Sequence, residues 1–432
     1  MAAKHKVLVF PAGTEIAFEI HNALRHSRFV ELYGATSVPC HAEMVFKECA
    51  SGLPFVKDPA LINALNEVID MWGIEYVYPA HDDALLILTK EQSKLHAKVV
   101  TSPWETVAVC RSKLNTYCEL YGVVDYLPKF WMNENDVDEF PVFVKPDIGQ
   151  GGIGAQRVNN RKELDRILSD GTEYAICEYL PGREFTVDCF TDRHGNLLYV
   201  GQRTRERIRA GIAVRSRFMV FTDAPVLRIA NDLNHRFRFN GAWFFQVKED
   251  REGNLKLMEV APRIAGTMGL SRNRGVNMPL LTLYNMWGVD VHIIDNGADI
   301  MLDRAFISRY KNDIEYYTVY VDLDDTLIQD GKVNEFLLAY LHQAREKGKR
   351  VILLTKHEGW LERDLVDLHI NPNMFSDIIN IGKRKKTKAD FIKGDKAIFI
   401  DDSYSERRLV KEQCGIPVFD VDMVESLYDW CA

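Results

Sequence analysis

The sequence predicts an α/β protein in three parts, and three observations predict it. Strand and helix signals alternate at the N-terminal end. Apolar runs joined by tight polar loops fill the middle, and strand–helix alternation returns from Tyr316 onward. Alternation of this kind implies parallel sheets with helices on their faces. The looped apolar runs imply antiparallel pairing. The 432 residues suit about three domains, placed at 1–105 (α/β, parallel sheet), 106–313 (α+β, antiparallel sheet) and 314–432 (α/β, parallel sheet).

In the first part, Val7–Phe10 reads as a buried strand, Pro11–Thr14 as a turn and Glu15–His26 as a helix, with Ile16, Phe18, Ile20, Ala23 and Leu24 at helical spacing. Leu32–Ala35 and Tyr76–Pro79 repeat the strand signal, and Pro59–Trp72 is helical between them. His81-Asp82-Asp83 then either lines a site or caps a helix, the cap being favoured. In the second part Lys113–Tyr121 reads as a helix and Pro141–Lys145 as a strand. Glu173–Glu259 is mainly antiparallel, turned by the loops Arg193-His-Gly-Asn196 and Arg251-Glu-Gly-Asn254. Residues 295–315 are a mixed join.

Composition narrows the class. Apolar residues make up 47% and charged residues 27%, as in ordinary globular proteins. The formal charge of -8 gives no reason to expect DNA or an anionic membrane as the main partner. No apolar run approaches the ~20 residues that span a bilayer, and the N-terminal residues lack the layout of a signal peptide. Eight cysteines occur without a CxxC pair. They read as reduced, buried thiols of a cytoplasmic protein. The sequence leaves a homo-oligomer open.

The chemistry of the middle part begins at Val142-Phe-Val-Lys145-Pro-Asp-Ile-Gly149-Gln-Gly151-Gly152-Ile-Gly154. A strand delivers a lysine, and glycines follow that let backbone N–H groups approach phosphate oxygens. The lysine precedes the glycines, so this is a poor match to a Walker A loop. Taken alone, it reads equally as a turn. Downstream stand Glu178-Tyr179-Leu180, Glu184 and a hairpin with Gln246 and Glu259. Centring that hairpin on its 251–254 loop sets Gln246 opposite Glu259 on one face. Paired acceptors there suit Mg2+, because hard cations take oxygen ligands. The alternative is a cross-strand pair on a solvated face. Arg203, Arg205, Arg207 and Arg209 recur at period two, hence on one face if extended, and Arg215 and Arg217 follow. Arginine forks suit carboxylates and phosphates, so Arg203, Arg205 and Arg215 form a candidate substrate clamp. Pairing with surface acids is an equal alternative.

In this order, Lys113, Lys145 with its glycine loop, Glu178-Tyr-Leu, Glu184 and the Glu259…Arg263 strand resemble the ATP-grasp superfamily over roughly residues 1–300, most of all its carbamoyl-phosphate-synthase-like branch. The resemblance implies a pre-ATP-grasp domain ahead of an ATP-grasp domain, with ATP and Mg2+ as cofactors. It implies joining of a carboxylate to an amine or another nucleophile through an acyl-phosphate. By that likeness Lys113, Lys145, Gly151 and Gly152 contact phosphates. Glu178, Tyr179 and Leu180 flank the adenine, and Glu184 holds the ribose. Gln246 and Glu259 ligate Mg2+, and Arg263 steadies the transferred phosphoryl group. The superfamily strand usually reads Glu-x-Asn-x-Arg, whereas here it reads Glu259-Val-Ala261-Pro-Arg263. Ala261 cannot bind a metal, so either another group such as Asn273 or Asn277 replaces it or one metal position is weak.

In the last part three strand-like runs end in polar clusters: Asp322-Leu-Asp324 after Tyr317–Val321, Thr355 after Arg350–Leu354, and Asp401-Asp402 after Ala397–Ile400. Ligands bind beyond the carboxyl ends of strands in open parallel sheets. A carboxylate can attack phosphorus, and a second one two residues on can serve as acid and base. These elements, with a lysine between the second and third, resemble the haloacid-dehalogenase (HAD) superfamily over roughly residues 314–432. The likeness implies Asp322 as nucleophile, Asp324 as acid/base, Thr355 and Lys388 (Lys386 second) as phosphate supports, and Asp322, Asp324, Asp401 and Asp402 around Mg2+. The short segments after Asp324 and after Thr355 leave no room for a sizeable cap, so a capless, Rossmann-like HAD domain is expected.

The resulting expectation is a bifunctional enzyme. An ATP-dependent carboxylate ligase is fused to a Mg2+-dependent phosphatase, with small-molecule carboxylate, nucleophile and phosphorylated-metabolite substrates. Two alternatives stay open. One is a nucleotide-sensing, non-ligating ATP-grasp domain beside the phosphatase. The other is nucleic-acid end processing, to which the basic run Lys383–Lys388 would contribute; the acidic total leans against it.

Overall fold

The computed structural model describes residues 4–219, 222–382 and 386–431. Two compact units emerge, residues 1–306 and 307–432. Among the described residues no helix is long and apolar enough to cross a membrane.

The first unit opens with β1 (His5–Phe10), α1 (Glu15–Leu24), β2 (Val30–Ala35), β3 (Cys49–Ala50), α2 (Leu61–Trp72), β4 (Tyr76–Pro79), α3 (Asp82–Lys90) and β5 (Lys98–Val99). The strands form one parallel sheet in the order β3-β2-β1-β4-β5. Val7, Leu8, Val9 and Phe10 are fully buried, as a central strand covered on both faces requires. Thr14 caps α1 by accepting from the Ala17 N–H at 3.0 Å. The strand order reverses between β1 and β4, and α3 starts at that switch.

Next come α4 (Trp104–Arg111), α5 (Lys113–Leu120), β6 (Phe130–Trp131), β7 (Val142–Pro146), β8 (Gln156–Val158), α6 (Arg161–Leu168) and β9 (Tyr174–Glu178). Their strands pair antiparallel in the order β6-β9-β7-β8. The chain then builds β10 (Glu184–Thr191), β11 (Leu197–Thr204), β12 (Arg207–Arg209), β13 (Ile212–Arg217), α7 (Ala224–Arg236), β14 (Gly241–Glu249), β15 (Leu255–Ala261), α8 (Gly269–Asn273), α9 (Met278–Met286) and β16 (Met301–Asp303). A second antiparallel sheet runs β11-β10-β14-β15, and a small third one β12-β13-β16. One apolar cluster joins the first parallel sheet to the second antiparallel one through residues such as Val9, Tyr78, Phe190 and Phe244. A second packs Phe185, Trp243 and Phe245 against α7.

The second unit contains β17 (Thr318–Val321), β18 (Ile328–Gln329), β19 (Lys332–Val333), α10 (Glu335–Glu346), β20 (Arg350–Thr355), α11 (Leu361–Asp367), β21 (Asp377–Asn380), β22 (Ala397–Ile400), α12 (Tyr404–Cys414) and β23 (Val418–Phe419). Its main sheet is parallel, in the order β21-β20-β17-β22-β23. Between Asp324 and Thr355 the chain makes only the small β18–β19 hairpin and α10. The switch in strand order falls between β17 and β22.

Phe245 is fully buried beneath the β14 face that carries Gln246. Phe245→Ala should destabilise the fold by about 3–5 kcal/mol, read as a lower urea midpoint.

Candidate functional site

The first candidate site lies where the β15 end, the β7 glycine loop and the start of α3 meet. One cavity is lined by Arg111, Lys113, Gly149, Gly151, Glu259 and Arg263, and by Asp82. Behind it, the sheet presents a row of directly opposed residues, Arg203–Thr186–Gln246–Glu259, one from each of β11, β10, β14 and β15. The Gln246–Glu259 pairing is as the sequence predicts. Nearer the loop the register shifts, with Val247 opposite Leu257, so Met258 is the extra residue of a bulge. The Met258 carbonyl turns to two donors: Lys145 Nζ at 2.8 Å and the Tyr117 hydroxyl at 2.9 Å. Lys145 also donates to the Tyr117 oxygen at 2.9 Å and is buried.

Lys113 donates to the Pro146 and Asp147 carbonyls at 3.1 and 3.0 Å. Burial pulls its pKa below the usual lysine value. Gly211 is a glycine by necessity. Its φ is 74°, and a Cβ there would lie 2.0 Å from the Gly151 oxygen. The turn between β12 and β13 thus rests directly on the glycine loop.

His81 caps α3, and Asp82 beside it lines the cavity. His81 Nδ1 accepts from the Asp83 N–H at 3.1 Å, and its Nε2 meets Gln150 at 2.8 Å. Asp82 accepts from Arg263 Nε and Nη2, both at 2.6 Å. Asp83 accepts from Arg111 Nε and Nη2 at 3.1 and 2.6 Å. Burial pushes the Asp82 carboxyl up, but the Arg263 guanidinium outweighs it and holds the carboxyl below its ordinary range. Burial likewise lowers the Arg263 pKa, and Asp82 more than restores it. The sequence singled out Arg263 and the triplet separately. It gave no sign of their pairing, and it missed Arg111.

Other expected residues stand elsewhere or are occupied. Glu178, Tyr179 and Leu180 end β9 and begin the link to β10. Glu178 accepts from the Lys129 N–H at 2.8 Å, and the Arg157 guanidinium lies 4.6 Å over the Tyr179 ring. Glu184 pairs with Arg205 at 2.6 Å. The arginine run does not form one extended face, because β11 ends at Thr204 and β12 begins at Arg207. Arg203 is buried in a bidentate pair with Asp188 at 2.9 and 3.0 Å. Arg215 pairs with Glu206 and Asp303, Arg207 with Asp303, and Arg217 with Asp299. Nearby acids thus pair with these guanidinium groups, the alternative weighed equally with a substrate clamp, while Arg203 Nη1 is buried with no hydrogen-bond partner. Neither asparagine stands in for Ala261. Asn277 caps α9 and donates to the Ala23 carbonyl, while Asn273 donates to Gly269 within its own helix.

The second unit gathers its polar clusters at the switch point of its sheet. Lys388 Nζ lies 2.8 Å from Asp322 Oδ1 and 2.6 Å from Asp401 Oδ2. Oxygens of Asp322, Asp401 and Asp402 all lie within 4.8 Å of one another. Thr355, at the end of β20, is fully buried, and its hydroxyl accepts from the His357 N–H at 3.1 Å. Asp402 accepts from the Thr326 hydroxyl at 2.9 Å. Burial and then the Asp322 charge push the Asp401 carboxyl up to about 6. Burial also raises Asp322, and the two carboxylates hold Lys388 above its usual value against the effect of burial. Lys388 opens a single 3-10 turn, Lys388–Phe391. Lys386 instead stands 5.5 Å over the Phe391 ring. Lys383, Arg384 and Lys385 of the basic run lie outside the described residues.

Sequence reasoning missed His357. Its Nδ1 lies 3.0 Å from both Asp324 oxygens, and its Nε2 is 2.7 Å from Asp364. Burial lowers its pKa, but the two carboxylates outweigh that and raise it. A signal was present in Thr355-Lys-His357-Glu-Gly359. A Cβ at Gly359 would lie 2.5 Å from His357 Nε2.

Comparison with known proteins bears on the first unit. A family model described as "ATP-grasp in the biosynthetic pathway with Ter operon" matches residues 172–301. The carbamoyl phosphate synthase large chain of Clostridium beijerinckii is 25% identical over 284 residues, 57% of this chain and 26% of the relative. The arginine-specific large chain of Bacillus subtilis is 27% identical over 157 residues, 33% of this chain and 15% of the relative. The chain thus spans about a quarter or less of these relatives. Among solved structures, the biotin carboxylase domain of Hydrogenobacter thermophilus 2-oxoglutarate carboxylase, a dimer crystallised with MgADP and bicarbonate, aligns with a TM-score of 0.56 at 16% identity, covering 68% of this chain and 72% of that one. The L-amino acid ligase of Bacillus licheniformis gives 0.53 at 18% identity, covering 66% and 74%. By the family model over residues 172–301 and by its fold, the first unit is similar to ATP-grasp proteins.

Because the Asp82 carboxyl is depressed in the fold, the stability it contributes is present above its unfolded value near 3.8 and is lost as pH falls through the lower folded value. Asp82→Asn should lower the urea midpoint at neutral pH. The gap from the parent protein should close as both are titrated into strong acid.

Proposed function

We propose that residues 1–306 bind Mg·ATP and use it to activate a carboxylate for attack by an amine or another nucleophile. One observation carries this reading: a single cavity brings Lys113, the glycine loop, Glu259 and Arg263 together. Phosphoryl transfer needs position and charge neutralisation more than covalent work by the protein. Lys113, Lys145 and the loop N–H groups would receive phosphate oxygens, with adenine beside Tyr179 and Leu180 and ribose near Glu184. Gln246 and Glu259 would hold Mg2+, whose charge offsets that of the phosphates, while Ala261 offers no ligand. A substrate carboxylate oxygen attacks the terminal phosphorus, the bridging oxygen leaves with ADP, and the nucleophile then displaces phosphate from the acyl-phosphate. Oxygen from a labelled substrate carboxylate should appear in the released phosphate. Turnover without that transfer would exclude the acyl-phosphate.

For residues 307–432 we propose a capless HAD-type phosphatase. Its support is Lys388 held between Asp322 and Asp401, beside Asp402 and Thr355. Lys388 is the one ammonium paired with Asp322 and Asp401, and the Asp402 carboxylate stands close to both. A divalent cation fits that excess of negative oxygen. Asp322 would attack phosphorus as the ester oxygen leaves with a proton from Asp324, and water would then cleave the aspartyl-phosphate. Asp324→Asn should reduce hydrolysis of p-nitrophenyl phosphate about 10²–10⁴-fold, with folding unchanged by circular dichroism.

A further inference from the structure

Two adjacent carboxylates at the start of α3 hold two arginines in the same way. Arg263 gives Nε and Nη2 to Asp82, and Nη1 to the Ile264 carbonyl at 2.9 Å. Arg111 gives Nε and Nη2 to Asp83, and Nη1 to the Gly149 carbonyl at 3.1 Å. A guanidinium has five N–H donors in a rigid fork. In both residues the side edge and one Nη1 hydrogen are therefore occupied. One hydrogen remains on each Nη, that of Nη2 along the end edge, with no partner among the described residues. Both side chains line the cavity that holds Glu259. The Phe244 ring lies 5.2 Å from the Arg263 guanidinium.

Two features of the fold support the negative charge of these carboxylates. They occupy the first turn of α3, where the unpaired N–H groups favour negative charge. Asp82 and Arg263 are each 14% exposed, so the pair is largely shielded from water. A competing role, in which Asp82 blocks Arg263 until phosphate displaces it, would require the contact to cover the end edge. It covers the side edge.

We infer that Asp82 and Asp83 are positioning residues that aim the end edges of Arg263 and Arg111 at the phosphates of a nucleoside triphosphate. Arg263, beside Glu259, would meet the terminal phosphoryl group. Arg111, tied to the glycine loop, would meet phosphates that di- and triphosphates share. The inference rests on the nucleotide-binding reading above, and it gives α3 of the parallel-sheet part an indirect hold on the triphosphate, through the two arginines.

Calorimetric titration of the full-length chain with two probes, Mg·AMP-PCP and MgADP, tests it. Asp82→Asn should weaken Mg·AMP-PCP on the order of tenfold while MgADP changes less than about twofold, and Asp82→Glu should recover most of the loss. Asp83→Asn should weaken both probes alike. In an Arg263→Lys background, Asp82→Asn should leave the ratio of the two affinities unchanged, since the fork it aims is already gone. Equal weakening of both probes by Asp82→Asn, or affinities like the parent's, would overturn the positioning role. If the parent chain binds neither probe, the nucleotide reading falls first and this inference with it.

Discussion

A charge taken out of water must find an opposite charge or a ring of hydrogen-bonding atoms, or the fold loses several kcal/mol. That requirement organises both candidate sites, with opposite results. In the first unit, buried and half-buried cations are each held by backbone carbonyls or by a carboxylate, and donor hydrogens are left over facing the cavity. In the second unit the imbalance runs the other way, with two carboxylates on one ammonium and a third carboxylate close by. The first arrangement suits an incoming anion, and the second suits an incoming cation.

Topology supplies the places where such groups can gather. In both parallel sheets the functional side chains follow the strands that flank the reversal of order: β4 leads into α3 in the first unit, and β17 and β22 lead into Asp322 and Asp401 in the second. The antiparallel sheet does something different. Its four strands set Arg203, Thr186, Gln246 and Glu259 side by side, so the pair proposed for Mg2+ and one member of a buried ion pair share one line across the sheet.

Much of this was legible in the sequence, for reasons that differ by element. Apolar runs such as Val7–Phe10 announce a central strand because burial on both faces leaves no polar alternation. Centring the hairpin on its loop gave the Gln246–Glu259 pair, although the structure reaches that register only through the bulge at Met258. The cluster of Asp322, Thr355 and Asp401 follows from three strand ends and one topological rule. What stayed hidden was partnership. Nothing local says that Asp82 meets Arg263 or that Asp188 takes Arg203, since each pair joins separate strands or helices. The arginine run shows the same gap from the other side. Its spacing suggested a common face, but acids scattered as far away as Asp299 and Asp303 settled where each guanidinium went. His357 escaped because its role depends on a glycine two residues later that leaves space for the imidazole.

The bulge at Met258 ties hairpin length to chemistry. Side chains on a strand alternate between faces, so it is the bulge that lets the extra residue leave Glu259 on the face of Gln246. Removing Met258 would heal the ladder with Glu259 still opposite Gln246 but would withdraw the carbonyl that anchors Lys145, whereas one residue added between Leu257 and Glu259 without a bulge would change the face that carboxylate occupies. Insertions and deletions in this hairpin are thus constrained in parity as well as in size, even though its tip is open to solvent and tolerant in every other respect.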